Sequence, residues 1–184
     1  MVQAVIGIGS NVDCEKNICA ALDQLREHFG ELSISPVYQS AASIEDMSES
    51  NRSDVNIQGL FYYNLVVAIE TDKNVVSLKH FLRKIEEIQE RRRNISTVTL
   101  DLDLLLYGDW PGELDGSAVP HHDITECEYV LRPLTDLLPN NRHPIYDKTY
   151  SELWAACSKD KKMNAVDFVW KGRVISNTSC LPIF

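Results

Sequence analysis

No apolar run in this chain is long enough to span a bilayer. Its opening, MVQAVIGIGSNVD, carries neither a basic n-region nor a cleavage-type segment. A membrane helix and a signal peptide are therefore not expected, and a cytoplasmic location is. A surplus of positive charge is also missing: the formal net charge is −9 over 184 residues. Such a chain has no general attraction to nucleic acid or to an anionic membrane, so a polyanion must be met by a local basic cluster. The five cysteines, at 14, 19, 127, 157 and 180, are odd in number and show no C-x-x-C spacing. That suggests neither a disulfide framework nor a cysteine zinc site, and reduced thiols are expected. The run Gly7-Ile8-Gly9-Ser10-Asn11 lacks the third glycine of a dinucleotide fingerprint, and no G-K-[ST] follows it. Neither an internal repeat nor a linker is visible, so residues 1–184 read as one domain.

What is present has an ordinary soluble composition, 44% apolar and 24% charged. Val2 to Ile8 is a buried strand that breaks at Gly9-Ser10-Asn11. Ile18, Leu22, Leu25 and Phe29 recur at helical spacing, and Gly30 stops the helix. Leu32, Ile34 and Tyr38 stand near period two, with Pro36 marking an edge strand. From Gln39 to about Gly59 the chain is polar, acidic and aperiodic, and reads as a long loop. Phe61 to Thr71 is a strand. Asn74 caps a helix with the stripe Leu78, Phe81, Leu82, Ile85 and Ile88, which runs into Arg91-Arg92-Arg93. Thr99 to Tyr107 is a strand closed by Gly108. Beyond Pro120 the pattern gives a strand or turn at Tyr129 to Leu131, a helix near Tyr150 to Cys157 and a last strand over Phe168 to Ile175. The order β-α-β-β-α-β of the first six elements is that of an α+β, ferredoxin-like domain.

Asp101 and Asp103 are the sharpest chemical signal. On a strand they share one face, roughly 6–7 Å apart, while Leu100, Leu102 and Leu104 fill the other. Two readings fit. One is a half-exposed strand with a solvated acidic face; the other is a carboxylate pair that holds Mg²⁺ against phosphate oxygens. The apolar run after Asp103 sits poorly with the first. Arg91 to Arg93 can complement a helix C-terminus, or clamp a polyphosphate through paired guanidinium donors. His121 and His122 can be surface residues, nucleotide contacts or proton-transfer groups. Gly7 suits close packing on the first strand, and Asn11 can present its amide at that strand's end. Phe61, Tyr62, Tyr63 and Tyr129 are core by default, with room for two of them to sandwich a flat heterocycle.

Taken in order, IGIGSN, FYYN, IEEIQERRR, TLDLDLLLYGD, VPHHD and YVLRPL resemble the 6-hydroxymethyl-7,8-dihydropterin pyrophosphokinase family, from about Ile6 to about Pro139. The resemblance implies a ferredoxin-like α/β/α sandwich with a mainly antiparallel sheet and three mobile loops over the active site. The implied reaction moves the β,γ-diphosphoryl group of ATP onto the pterin hydroxymethyl group and releases AMP. By the same resemblance, Asp101 and Asp103 bind two Mg²⁺ ions, ATP is the co-substrate, and Arg91 and Arg93 act with the aspartates in catalysis. Asn11, Ser40, Tyr62, Asn64 and Tyr129 belong to the pterin pocket, and Glu86, Leu104 and His121 to the nucleotide side. Small molecules are the implied partners, with no nucleic acid, no membrane and a monomer favoured. The chain departs from the family pattern in its third loop. NISTVT is short and lacks the usual tryptophan, and Val98, Cys127 and Gly116 stand where arginines are usual. Ala118 replaces a threonine, and QSAAS lacks a threonine-proline pair. A pterin- or nucleotide-binding paralogue with weakened catalysis is the alternative that these departures raise.

Overall fold

The computed structural model describes residues 1–41, 61–89, 98–114, 117–157 and 163–178. Strand β1 (Val2–Ser10) is followed by helix α1 (Cys14–Phe29). Next come the short strands β2 (Ser33–Ile34) and β3 (Tyr38–Ala41), then β4 (Phe61–Thr71). Helix α2 (Val75–Ile88) and strand β5 (Asp101–Tyr107) complete the expected β-α-β-β-α-β order, with the second strand broken at Ser35-Pro36-Val37. The sheet runs β5-β1-β4-β3, and β2 pairs with β4 upstream of β3. All of these pairings are antiparallel. Strand β3 claims Gln39, Ser40 and Ala41 from the segment expected to be a loop; its remainder lies outside the described residues.

Alternation along the strands sorts side chains into two layers. Ala4, Ile6 and Ile8 of β1 and Leu65, Val67 and Ile69 of β4 pack with Ile18, Leu22 and Leu25 of α1 and Leu78, Leu82 and Ile85 of α2. Burying one such side chain contributes about 1.5–3 kcal/mol, so this layer is the main source of cohesion. Asn74 caps α2 by accepting from the Ser77 N–H at 2.9 Å, worth about 1 kcal/mol. Gly30, at φ 80°, ends α1 in a conformation that side-chain-bearing residues avoid.

The opposite face carries Val5, Val66 and Ala68, covered by the short helix α3 (Asp123–Glu126), by α4 (Glu128–Leu137) and by Tyr150 of α5 (Tyr150–Ala156). This covering overturns one expectation, since Tyr129 to Leu131 is helical rather than a strand or turn. Pro133 lacks the N–H that a helix interior needs, yet the helix runs through it. Burial decides: Val130, Leu131 and Leu134 form one stripe against the sheet.

The C-terminal residues are a second correction. Phe168 to Ile175 is not one strand but a hairpin of β9 (Phe168–Trp170) and β10 (Arg173–Ser176). It turns at Lys171 and Gly172, both at positive φ. Before it, β8 (Asn164–Ala165) pairs with Tyr38 and Gln39 and extends the sheet beyond β3. Phe168 and Trp170 enter the α1 layer, and the Trp170 indole donates to Asp23 at 2.8 Å. A small hairpin, β6 (Gly112–Leu114) with β7 (Ser117–Val119), follows β5. No helix of the described residues is long and apolar enough to cross a membrane.

Candidate active site

Cross-strand register builds the site. Directly paired residues share a face, so Tyr38, Asn64, Gly9 and Asp101 form one row across β3, β4, β1 and β5. The next row is Val66, Gly7 and Asp103. The two glycines leave a trough between the carboxylates of β5 and the polar residues of β4. A Cβ on Gly9 would stand 3.5 Å from Asn64 Oδ1, and one on Gly7 would stand 3.3 Å from the Leu105 side chain. Leu105 reaches that position through a bulge: Val5 pairs with Leu106 and Ile6 with Leu104, so Leu105 is the extra residue.

Above the trough lies an open cleft of about 420 Å³, counted to its mouth. Gly7, Gly9, Asn64, Asp101, Asp103 and Tyr129 are among the residues that line it. Asp101 and Asp103 are half-buried on the same face, as the alternation in LDLDL implied. Their oxygens are hard donors of the kind Mg²⁺ takes, so the donor set fits that ion. Asn64 is buried and donates through Nδ2 to Ser40 Oγ at 2.9 Å. Tyr62 pairs with Ser40 across β3 and β4 and is half-buried. Tyr129, on the first turn of α4, stands at the mouth with 39% of its surface exposed.

Four further expected site residues, Asn11, Glu86, Leu104 and His121, make contacts within the fold. Asn11 is buried and binds the chain segment that enters β5. Its N–H donates to Val98 O at 2.9 Å, and its Oδ1 accepts from Val98 N–H at 2.6 Å. Ser10 Oγ adds a bond to Thr99 O at 2.6 Å. Together they pin the downstream end of the third loop to the first glycine turn. Glu86, 4% exposed, accepts from Leu102 N–H at 2.9 Å, on the open edge of β5. Leu104, 4% exposed, points into the α1–α2 core, on the face away from Asp101 and Asp103. His121 anchors its segment to the bulge, its N–H donating to Leu105 O at 2.9 Å. Arg91 and Arg93 lie outside the described residues, as does Gly116.

Sequence reasoning singled out Gly7 but not the pairing that makes Gly9, Val66 and Asp123 cleft-lining residues as well. For Gly9 the signal was available, because a glycine two positions from another on a strand shares its face.

The family model described as 7,8-dihydro-6-hydroxymethylpterin-pyrophosphokinase (HPPK) matches residues 5–139. The chain belongs to this family. Among its relatives, the 2-amino-4-hydroxy-6-hydroxymethyldihydropteridine pyrophosphokinase of Pseudomonas aeruginosa is 33% identical over 164 residues, 85% of this chain and 93% of that protein. The protein of the same name from Haemophilus influenzae is 30% identical over 154 residues, 77% of this chain and 88% of that one. Among solved structures, the wild-type HPPK-DHPS of Plasmodium falciparum superposes with a TM-score of 0.69 at 14% identity. The match covers 94% of this chain and 49% of that one, so the chain spans about half of the larger protein. At that identity the likeness concerns the fold, and it agrees with the α+β sandwich described above.

Proposed function

We propose that this chain transfers the β,γ-diphosphoryl group of ATP to 6-hydroxymethyl-7,8-dihydropterin and releases AMP, a step of folate biosynthesis. The observation that carries the reading is the row Asn64–Gly9–Asp101 with Asp103 beside it. It sets a polar pocket wall and a carboxylate pair on opposite sides of one glycine-floored cleft. Asn64, with its amide oriented by Ser40, offers hydrogen bonds to the edge of a flat heterocycle. Tyr62 and Tyr129 supply aromatic wall, and burial against such rings contributes about 0.5–1.5 kcal/mol beyond area alone.

Asp101 and Asp103 would hold Mg²⁺, two ions by family resemblance, and the bound metal supplies charge neutralisation on the ATP phosphates. The remaining work is positioning. The chain fixes the pterin alcohol on one side of the trough and the polyphosphate on the other, so that the hydroxymethyl oxygen attacks the β-phosphorus in line. Glu86 keeps β5 in register with α2, and Asn11 holds the segment that leads into Asp101. Arg91 and Arg93 are assigned to charge stabilisation, with His121 on the nucleotide side. Residues 1–184 act as one domain in this reading, because β8 and the C-terminal hairpin join the sheet and core that carry the site.

The test is AMP release from ATP, measured with and without the pterin alcohol and with and without Mg²⁺. Pterin-dependent AMP formation is expected. Binding of both ligands without any AMP would instead identify a binding paralogue and end the catalytic reading.

A further inference from the structure

His121, His122 and Asp123 follow β7 and open α3, and their side chains converge. His122 Nε2 lies 3.1 Å from Asp123 Oδ1, and His121 Nδ1 lies 3.6 Å from Asp123 Oδ2. One ligand-type atom from each residue lies within 4.8 Å of the other two. The imidazoles stack with centroids 4.5 Å apart and planes inclined by 29°.

These separations have a specific meaning. Metal–nitrogen and metal–oxygen bonds of about 2.0–2.2 Å in a tetrahedral shell place neighbouring ligand atoms roughly 3.3–3.5 Å apart. The observed 3.1 and 3.6 Å bracket that spacing. The nitrogen of His121 that faces Asp123 Oδ2 also lies 3.4 Å from the Asp123 N–H, a long contact. A proton or a metal cation can be shared between that nitrogen and the carboxylate, and the nearby imidazole of His122 supplies the second nitrogen that a metal needs.

Residue type narrows the ion. Two imidazoles and a carboxylate suit Zn²⁺, Co²⁺, Ni²⁺ or Cu²⁺; Mg²⁺ prefers an all-oxygen shell. Side-chain exposure is 17% for His121, 22% for Asp123 and 65% for His122. Two ligands are thus held by the fold and the third closes from solvent, which leaves coordination positions open. Asp123 also lines the cleft. The group completing the shell would be water or an anionic oxygen of a cleft-bound molecule.

We propose that His121, His122 and Asp123 form a second cation site, for a borderline transition-metal ion of the zinc type, distinct from the Asp101–Asp103 pair. The argument rests on these three residues and stands apart from the pyrophosphokinase reading.

Cobalt absorption provides the test. The metal-free full chain is titrated with Co²⁺, whose visible d–d band reports imidazole ligation, in the presence of excess Mg²⁺. One equivalent is expected to bind both in the parent and in the Asp101→Asn/Asp103→Asn double variant. His122→Ala and Asp123→Asn, each verified as folded by circular dichroism, should weaken binding by more than about 100-fold, the upper end of what loss of an outer-shell partner costs. Cobalt affinity unchanged by His122→Ala and Asp123→Asn, lost in the double variant, or absent from the parent would overturn the proposal.

Discussion

The hydroxyl of Tyr38 donates to Asp136 Oδ2 at 2.5 Å and so ties β3 to α4. Arg132 Nε lies 3.1 Å from both oxygens, and its guanidinium stacks over the rings of Tyr38 and Trp154. Tyr38 pairs with Asn64 in the sheet and Tyr129 sits on α4, so this junction links the strand beside Asn64 to the helix that carries Tyr129. Tyr38→Phe leaves the Arg132–Asp136 pair in place and should cost about 1–2 kcal/mol in urea unfolding. Burial, and then the bond to Asp136, push the Tyr38 hydroxyl up to about 12 from its ordinary 10.0. A raised value stabilises the fold fully below pH 10, and that contribution is lost as pH rises toward about 12. The variant should therefore lose less stability than the parent across that window.

Asp101→Asn and Asp103→Asn should each abolish Mg²⁺-dependent binding of a non-hydrolysable ATP analogue while the thermal midpoint holds. The carboxylates line an open cleft, and removing one relieves charge repulsion between the two in the metal-free chain. Calorimetry with and without Mg²⁺ is the measurement, and equal affinities across parent and variants would remove the metal assignment.

Tyr129→Ala should weaken pterin binding by roughly 1–3 kcal/mol through lost stacking and burial. Its exposure at the cleft mouth keeps a general loss of stability from masking the effect. Titrated pterin fluorescence decides it, and an unchanged dissociation constant would return Tyr129 to the surface.

His143 is buried against Tyr146 and Tyr150, and its Nδ1 accepts from Ile145 N–H at 3.2 Å. Burial lowers its proton affinity below the ordinary 6.5. Above that pH both folded and unfolded chains carry it neutral. As pH falls below 6.5 the unfolded chain takes up the proton first, so stability declines until the folded form titrates as well. His143→Gln should flatten that acid slope in denaturation curves taken at successive pH values.

The elements with strong periodicity were legible in the sequence: β1, α1 and α2 with its Asn74 cap, while β4 matches from Phe61 to Thr71. Alternation alone put Asp101 and Asp103 on one face. What escaped notice depended on partners. Tyr129 to Leu131 has the β-branched, aromatic look of a strand, and only the sheet beneath it makes a helix of it. The two residues of β8 are too few to leave a pattern. Lys171-Gly172 carries a turn signal in its glycine, weakened by a lysine where asparagine is more usual. In the site, the Asn64–Gly9–Asp101 row exists only through register between distant strands. Asn11 was legible as a polar residue at a strand end, but its bond to Val98 depends on where the third loop returns.

The outer edge of β3 has a temporal side. Its partner β8 and the hairpin behind it are made late, and Trp170 meets Asp23 across 147 positions of sequence. On a ribosome the other strands can assemble while β3 still shows unpaired backbone groups, a template for pairing with neighbouring nascent chains. That interval closes only when residues 163–178 emerge. Stalled chains of graded length should gain protease resistance on passing Ser176 and stay sticky before it, so the speed at which residues 163–178 are translated sets how long each molecule is at risk.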